Sequence, residues 1–384
     1  MKAVLAAFAE QAAQVLRDRG ALLILVGAVV LYAFFYPIPY LPQVLKKVPV
    51  AVVDLDRSQL SRRLIRMADA HELISVSRQV GDVASAENLV RTGDVGGILV
   101  IAENFERDVR RGARVTVAAY LDASYFLVYR QVLTGLSEAT GTLSARIEIA
   151  RLRVQGMSDA QARTARDPLP LVMRPLFNAT EGYATYVVPA VLVLILQQTL
   201  LIGIGLLGGT EREAGRTSRP PRTGALATLL GRTAFFFALY ALHAVFYFGI
   251  VFRIFGFGRA SSAWTLALFT APFLLSVTLL GLAAGALFTH REVAIQVLLF
   301  TSLPAVFLAS FSWPREAVPA WLRAASQALP STSAMSGILR ITQMGASLDQ
   351  VRFEWTTLWA LSAAYLLIAW VLLRARIRRA AADL

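Results

Sequence analysis

Chemistry needs nucleophiles, acid–base pairs or metal ligands held close together, and this chain offers few of them. It has no Cys and only three His, at positions 71, 243 and 290, in three separate regions. Cysteine therefore supplies neither a disulfide nor a thiolate. HExxH, GxSxG and the phosphate-cradling GxxxxGK[ST] do not occur. The glycines Gly203, Gly205, Gly208 and Gly209 have no Lys behind them, so they read as close helix packing or as the end of an apolar run. Asp54-x-Asp56 follows the strand-like VPVAVVD and has metal-ligand character, but a turn and a helix cap explain it more simply.

The other polar residues of interest stand out by their setting. Gln197, Gln198, His243 and Gln296 interrupt long apolar runs. A polar group at membrane depth marks either a functional position or an interhelical hydrogen bond, the latter typically worth about 1 kcal/mol or less. Both readings fit these four. One run ends in Glu211-Arg212-Glu213-Ala214-Gly215-Arg216, with charge of both signs. Either the acidic residues open a short helix that meets a partner, or they are solvated loop charges.

The elements that carry these residues follow from composition. Of the 384 residues 56% are hydrophobic, against about 45–50% in a soluble chain, and the mean hydropathy is +0.57. The excess lies in blocks at 20–40, 183–208, 225–252, 264–289, 293–311 and 355–373. Each is long enough, at about 1.5 Å per residue, to cross most or all of a hydrocarbon core of about 30 Å. The expected fold class is an α-helical integral membrane protein with six transmembrane helices. Residues 1–19 place Val4, Leu5, Phe8, Ala12, Val15 and Leu16 opposite Glu10, Gln11, Gln14 and Arg17. That is an amphipathic helix, lying in the membrane interface or folded back on the protein. The run 20–40 begins late, after a helical leader, and no small-x-small site is followed by a clearly mature start, so it reads as a retained span; a long signal peptide is the alternative.

Residues 44–178 are of another kind. VPVAVVD, LISVSRQV, GGILVIA and ARVTVAAYLD read as strands alternating with helices near 58–70, 83–92, 103–111 and 124–155. This pattern describes a compact α/β domain inserted between the first and second membrane helices. Residues 169–173 read as one further strand.

The net charge of +13 would suggest nucleic acid in a soluble protein. Here the positive-inside rule accounts for it. With the N-terminus inside, the inner segments hold Lys2, Arg17, Arg19, Arg212, Arg216, Arg219, Arg222, Arg291, Arg374, Arg376, Arg378 and Arg379. The short outer loops hold Arg253, Arg259, Arg315, Arg323, Arg340 and Arg352, so the count is twelve against six. Both termini are then cytoplasmic and the 44–178 domain is extracytoplasmic. Residues 209–224 form a cytoplasmic loop and 374–384 a basic cytoplasmic tail. No Asp or Glu lies inside the six runs as bounded above, which argues against a proton-driven carrier.

Three stretches carry a family resemblance. One is the six-span layout with its leader helix and the ERE-x-G element after the second span. Another is WPREAVPAWLRAASQALPSTSAMSGILRI, which resembles a P…P-x-W-L…L-P-x-[ST]…I-L-R signature. The third is VPVAVVDLDRSQLSRRLI, which resembles the large-ectodomain subgroup that includes drug and multidrug efflux permeases. Together they resemble the permease subunit of an ABC-2 type ABC exporter.

The resemblance implies a permease dimer, of two identical or two similar chains, in the bacterial inner membrane with a periplasmic domain. It implies separate ATPase subunits that hydrolyse ATP with Mg, so that this chain is not itself an enzyme and binds no cofactor. A periplasmic adaptor is a further implied partner. Glu211, Arg212, Glu213 and Gly215 would be the element coupled to the ATPase, and 312–354 would form short re-entrant helices at the outer face. The implied function is export of an amphiphilic or drug-like substrate. The alternatives are a non-transporting receptor or scaffold that presents the outer domain, and an ion-coupled secondary transporter.

Overall fold

A computed structural model describes residues 1–179, 181–215, 224–258, 262–309, 313 and 315–382. The chain divides into two compact units, Val44–Arg174 and the pair of segments Met1–Gln43 with Pro175–Leu384.

The Val44–Arg174 unit is built on four strands, β1 (Val48–Asp54), β2 (Ile74–Val80), β3 (Gly97–Ile101) and β4 (Val117–Leu121). Their order is β2-β1-β3-β4, with β1 parallel to β2 and β3, and β4 antiparallel to β3. The central strand buries both faces, which is why it reads as an almost unbroken apolar run. Val48, Val50 and Val52 pack with Leu64 and Val132 on one side; Ala51 and Val53 pack with Ala86 and Ile98 on the other. The connecting helices Gln59–Asp69 and Val83–Arg91 thus cover opposite faces.

That arrangement reverses direction between β1 and β3, where sheets of this type commonly bind ligands at the carboxyl ends of the strands. Here the chain fills the position itself. Asp54 Oδ1 accepts the backbone N–H groups of Asp56 and Arg57, at 3.2 and 2.9 Å, and its Oδ2 accepts the Ser61 hydroxyl. Asp56 Oδ2 accepts the Glu106 N–H, and Glu106 Oε2 accepts those of Gln59 and Leu60. Arg110 beside Glu106 holds that carboxyl below the usual carboxylate range. Asp54-x-Asp56 is therefore a turn and helix-cap device. Residues 169–173 form no strand. Pro168 and Pro170 remove two of the backbone donors a strand needs there.

In the other unit the leader helix Lys2–Arg17 precedes six helices of membrane-spanning length and hydropathy among the described residues. They are Arg19–Tyr40, Tyr183–Glu213, Ala225–Ile254, Ala263–Gly285, Arg291–Leu308 and Arg352–Arg376. The second is the hub. Its apolar window is 83% buried, against 17% for the fifth and the sixth. Glycines make this enclosure possible: the bare face at Gly208 meets the Gly285 backbone of the fourth span, and Gly209 meets His290 and Arg291.

Breaks in the helices are satisfied by neighbours, as a bilayer demands. Pro272 cannot donate to the Leu268 carbonyl one turn back. Trp355 Nε1, on the sixth helix, donates to that carbonyl at 3.0 Å. The first span is π-helical over Leu23–Ala28. Carbonyls in and beside this segment, those of Leu25 and Val29, bond with His243 Nε2 at 2.9 Å and the Tyr247 hydroxyl at 2.7 Å. Where the chain leaves the first span and rejoins at the second, the Tyr183 N–H donates to the Gln43 carbonyl, and the rings of Tyr40 and Tyr183 lie 5.6 Å apart.

Some boundaries differ from the sequence reading. The second helix runs on through Glu213, so the first part of the 209–224 loop is helical. Nothing in Thr-Glu-Arg-Glu stops a helix; Gly215, at φ +63°, follows its end. The acidic residues close this helix rather than open another. The last helix continues to Ala382, so the 374–384 tail is helical that far. Arg216, Arg219, Arg222, Arg259, Pro314, residues 310–311 of the fifth run and residues 383–384 lie outside the described residues.

Candidate functional site

Among the described residues of the membrane unit, polar side chains gather at two points along the second helix. The first is at the carboxyl end of the second helix. Glu211 is buried, and its two oxygens accept separate N–H groups of Arg232, at 2.6 and 3.1 Å. This is a guanidinium fork matched to a carboxylate, the strongest geometry open to such a pair. Arg376, from the sixth helix, reaches the same place and donates to the Gly208 carbonyl at 3.4 Å. These groups and Gln11 of the leader helix line a small cleft that opens to its surroundings, walled by Leu207, Leu229, Phe236 and Leu373.

The neighbouring candidates sit differently. Arg212 is exposed. Glu213 is exposed and accepts the Arg291 N–H at 3.0 Å, tying the end of the second helix to the start of the fifth. The Arg291 guanidinium lies 3.6 Å from Asp18, which also caps the first span through Gly20 and Ala21. Gly215 is exposed, with open space where a side chain would be. Of the ERE-x-G element, then, Glu211 is committed inside the protein while Arg212 and Glu213 face outward.

The second constellation lies midway along the second helix. Gln197 Oε1 accepts the Ser331 N–H at 2.8 Å, and its Nε2 donates to the Ser331 hydroxyl at 3.0 Å. Ser331 opens the helix Pro330–Met344, whose first turns are buried. Gln197 therefore caps a helix start that would otherwise carry unsatisfied donors. Thr199 receives the Tyr240 hydroxyl at 2.9 Å, and Tyr240 packs edge-on against His243 at 5.1 Å. Gln198 is buried, and its Oε1 has no hydrogen-bond partner among the described residues. Gln296 lies apart from all of these, exposed on the fifth helix. At the far end of the Pro330–Met344 helix, Arg340 and Ser336 both donate to the buried Glu354, at 3.1 and 3.0 Å.

Replacing Gln197 by Ala leaves the buried Ser331 N–H and hydroxyl without a partner. The expected cost is about 1–3 kcal/mol. It would be read as a drop in melting temperature of the detergent-purified chain, with Gln198→Ala costing less. Equal losses for the two variants would remove the helix-capping role.

Sequence reasoning passed over Arg232 and Glu354, counted Arg376 only as an inner positive charge, and met Ser331 only as part of the quoted WPREAVPAWLRAASQALPSTSAMSGILRI stretch. Arg232 carried a usable signal, since a formal charge eight residues into an apolar run needs a partner. The link of Ser331 to Gln197 carried none, because it spans 134 residues.

A family model described as ABC-2 family transporter protein matches residues 19–371. No curated protein matches the chain.

Proposed function

The chain belongs to the ABC-2 transporter family, and from that premise we propose that it is the permease of an ATP-driven exporter. It is a multi-pass membrane protein, the membrane subunit of an ABC transporter, and the ATPase activity of such a transporter resides in a partner chain. The proposal adds direction, assembly and placement. The substrate is amphiphilic or drug-like and leaves the cytoplasm or inner membrane. Both termini are cytoplasmic, the Val44–Arg174 unit is periplasmic, and residues 312–354 are re-entrant from the outer face. ATP and Mg are bound and spent by the partner, and this chain holds no cofactor of its own.

The observation that carries the reading is the extent of the family match, which takes in five of the membrane-length helices, most of the sixth and the inserted domain together. Two features support the finer parts. Apolar residues dominate the spans, which suits a substrate arriving from the lipid. Gln296 stands exposed among Val293, Val297 and Phe300 on a helix otherwise turned outward. A polar side chain in that position is better placed against a second permease than against lipid. The exposed Arg212 and Glu213 are the groups available to an ATPase, and a periplasmic adaptor would meet the inserted domain.

The test is purification with native partners followed by reconstitution into proteoliposomes with a fluorescent amphiphile. Transport is expected to require ATP and to stop when the ATPase is inactivated. Transport driven by an ion gradient alone would replace the reading with a secondary carrier. An intact complex that moves nothing in either condition would leave a receptor or scaffold.

A further inference from the structure

The cleft at the end of the second helix holds more positive charge than its own carboxylate can match. Among the described residues that line it, Glu211 is the one carboxylate, against two guanidinium groups, Arg232 and Arg376. Both Glu211 oxygens are already engaged by Arg232. Among the described residues Arg376 makes one long hydrogen bond, to the Gly208 carbonyl, and its Nε is buried with no hydrogen-bond partner. A buried guanidinium N–H without an acceptor is costly and uncommon. Each guanidinium carries five N–H donors in a planar fork suited to phosphate. Around this polar corner the walls are apolar, from Leu207, Leu229, Phe236 and Leu373. The cleft lies where three membrane-length helices end or begin, at Glu211, at Arg232 near the start of Ala225–Ile254, and at Arg376. Headgroup depth is where a charged site beside an apolar wall is expected.

We propose that this cleft binds a phosphate-bearing anion, with Arg376 as the principal donor and Arg232 as a second cation already steadied by Glu211. An anionic phospholipid headgroup and free phosphate share this chemistry. The apolar wall would take the glycerol and first methylenes of a lipid. The inference does not depend on the direction of transport or on the ATPase.

The full chain, delipidated in detergent, is offered phosphatidylglycerol or phosphatidylcholine, and retained lipid is read by native mass spectrometry. A parallel titration with inorganic phosphate is read by thermal shift. Phosphatidylglycerol is expected to be retained in preference to phosphatidylcholine, and Arg376→Gln to weaken its binding by about tenfold or more. Leu373→Trp, which fills the wall without touching the charges, should weaken the lipid as well. Stabilisation by inorganic phosphate that Arg376→Gln removes, with both lipids retained alike, would identify free phosphate as the source. Equal retention of the two lipids together with no response to phosphate would overturn the proposal. So would an Arg376→Gln protein that holds the probe bound by the wild type as tightly as the wild type does. The wild-type comparison alone decides the matter should either variant fail to fold.

Discussion

Glu211→Ala is expected to destabilise the purified chain by about 2–4 kcal/mol, well beyond the effect of Arg212→Ala or Glu213→Ala. The reason is what remains behind. Arg232 makes its fork to Glu211 with only 24% of its side chain exposed. Removing the acid strands a cation in an apolar wall, a larger loss than the net contribution of the pair itself. Arg232 keeps some access to water, which holds the figure below that of a fully enclosed pair. Glu211→Gln, which keeps the shape and one acceptor, should fall between. The double variant Glu211→Arg with Arg232→Glu should recover part of the loss, because the partners are re-paired in reverse. Melting temperature in detergent reads all five. The same set separates two roles that the sequence merges in one charged element. Arg212 is exposed, so Arg212→Ala should weaken ATPase co-purification while leaving the melting temperature alone. Glu211→Ala should lower both together. An unchanged melting temperature for Glu211→Ala would show that the fork contributes nothing and that Glu211 is better regarded as a contact residue.

That merger shows where sequence reasoning reached its limit. The six apolar runs and the four strands are legible because hydrophobic length and alternation are local properties. The strand order is not, since it depends on which neighbour each strand finds across the sheet. Helix ends were displaced wherever an apolar run stopped before the helix did, as at Gly208, beyond which Thr210 to Glu213 simply continue the turn. Glu211 was visible as an acidic residue at a membrane boundary. Its partner was not, because Arg232 lies 21 residues away on another helix. Gln197 and His243 were visible as polar interruptions. What they do, capping the Pro330–Met344 helix and holding the Leu25 carbonyl, depends on elements brought together by the fold. Gln296 looks like them in sequence and differs in place, since periodicity alone does not say which face of a spanning helix meets protein.

Gly208→Ala should be among the most damaging single-methyl additions available in this chain, and Gly208→Leu worse. A Cβ at Gly208 would lie 2.9 Å from the Gly285 Cα and closer still to its carbonyl. Both obstacles are backbone, so no side chain can swing aside. Gly281, one turn earlier on the fourth helix, is closely packed too: a Cβ there would meet Ile204 at 2.9 Å. The two helices must part along this stretch. Overpacking of this kind costs about 1–3 kcal/mol and occasionally more. Here the parting also shifts Glu211, three residues on, away from Arg232, and Gly208's own carbonyl away from Arg376. Two controls bracket the effect. Gly215→Ala meets no atoms but must adopt φ +63°, which costs about 1 kcal/mol. Gly141→Ala, in open space on the helix Phe126–Val154, should be neutral or stabilise by about 0.5–1 kcal/mol. Melting curves for the three variants should therefore order as Gly208, Gly215, Gly141 from most to least destabilised. If Gly208→Ala melts with the wild type, the second and fourth helices have room to separate. The close approach would then not be what sets the position of the Glu211–Arg232 fork.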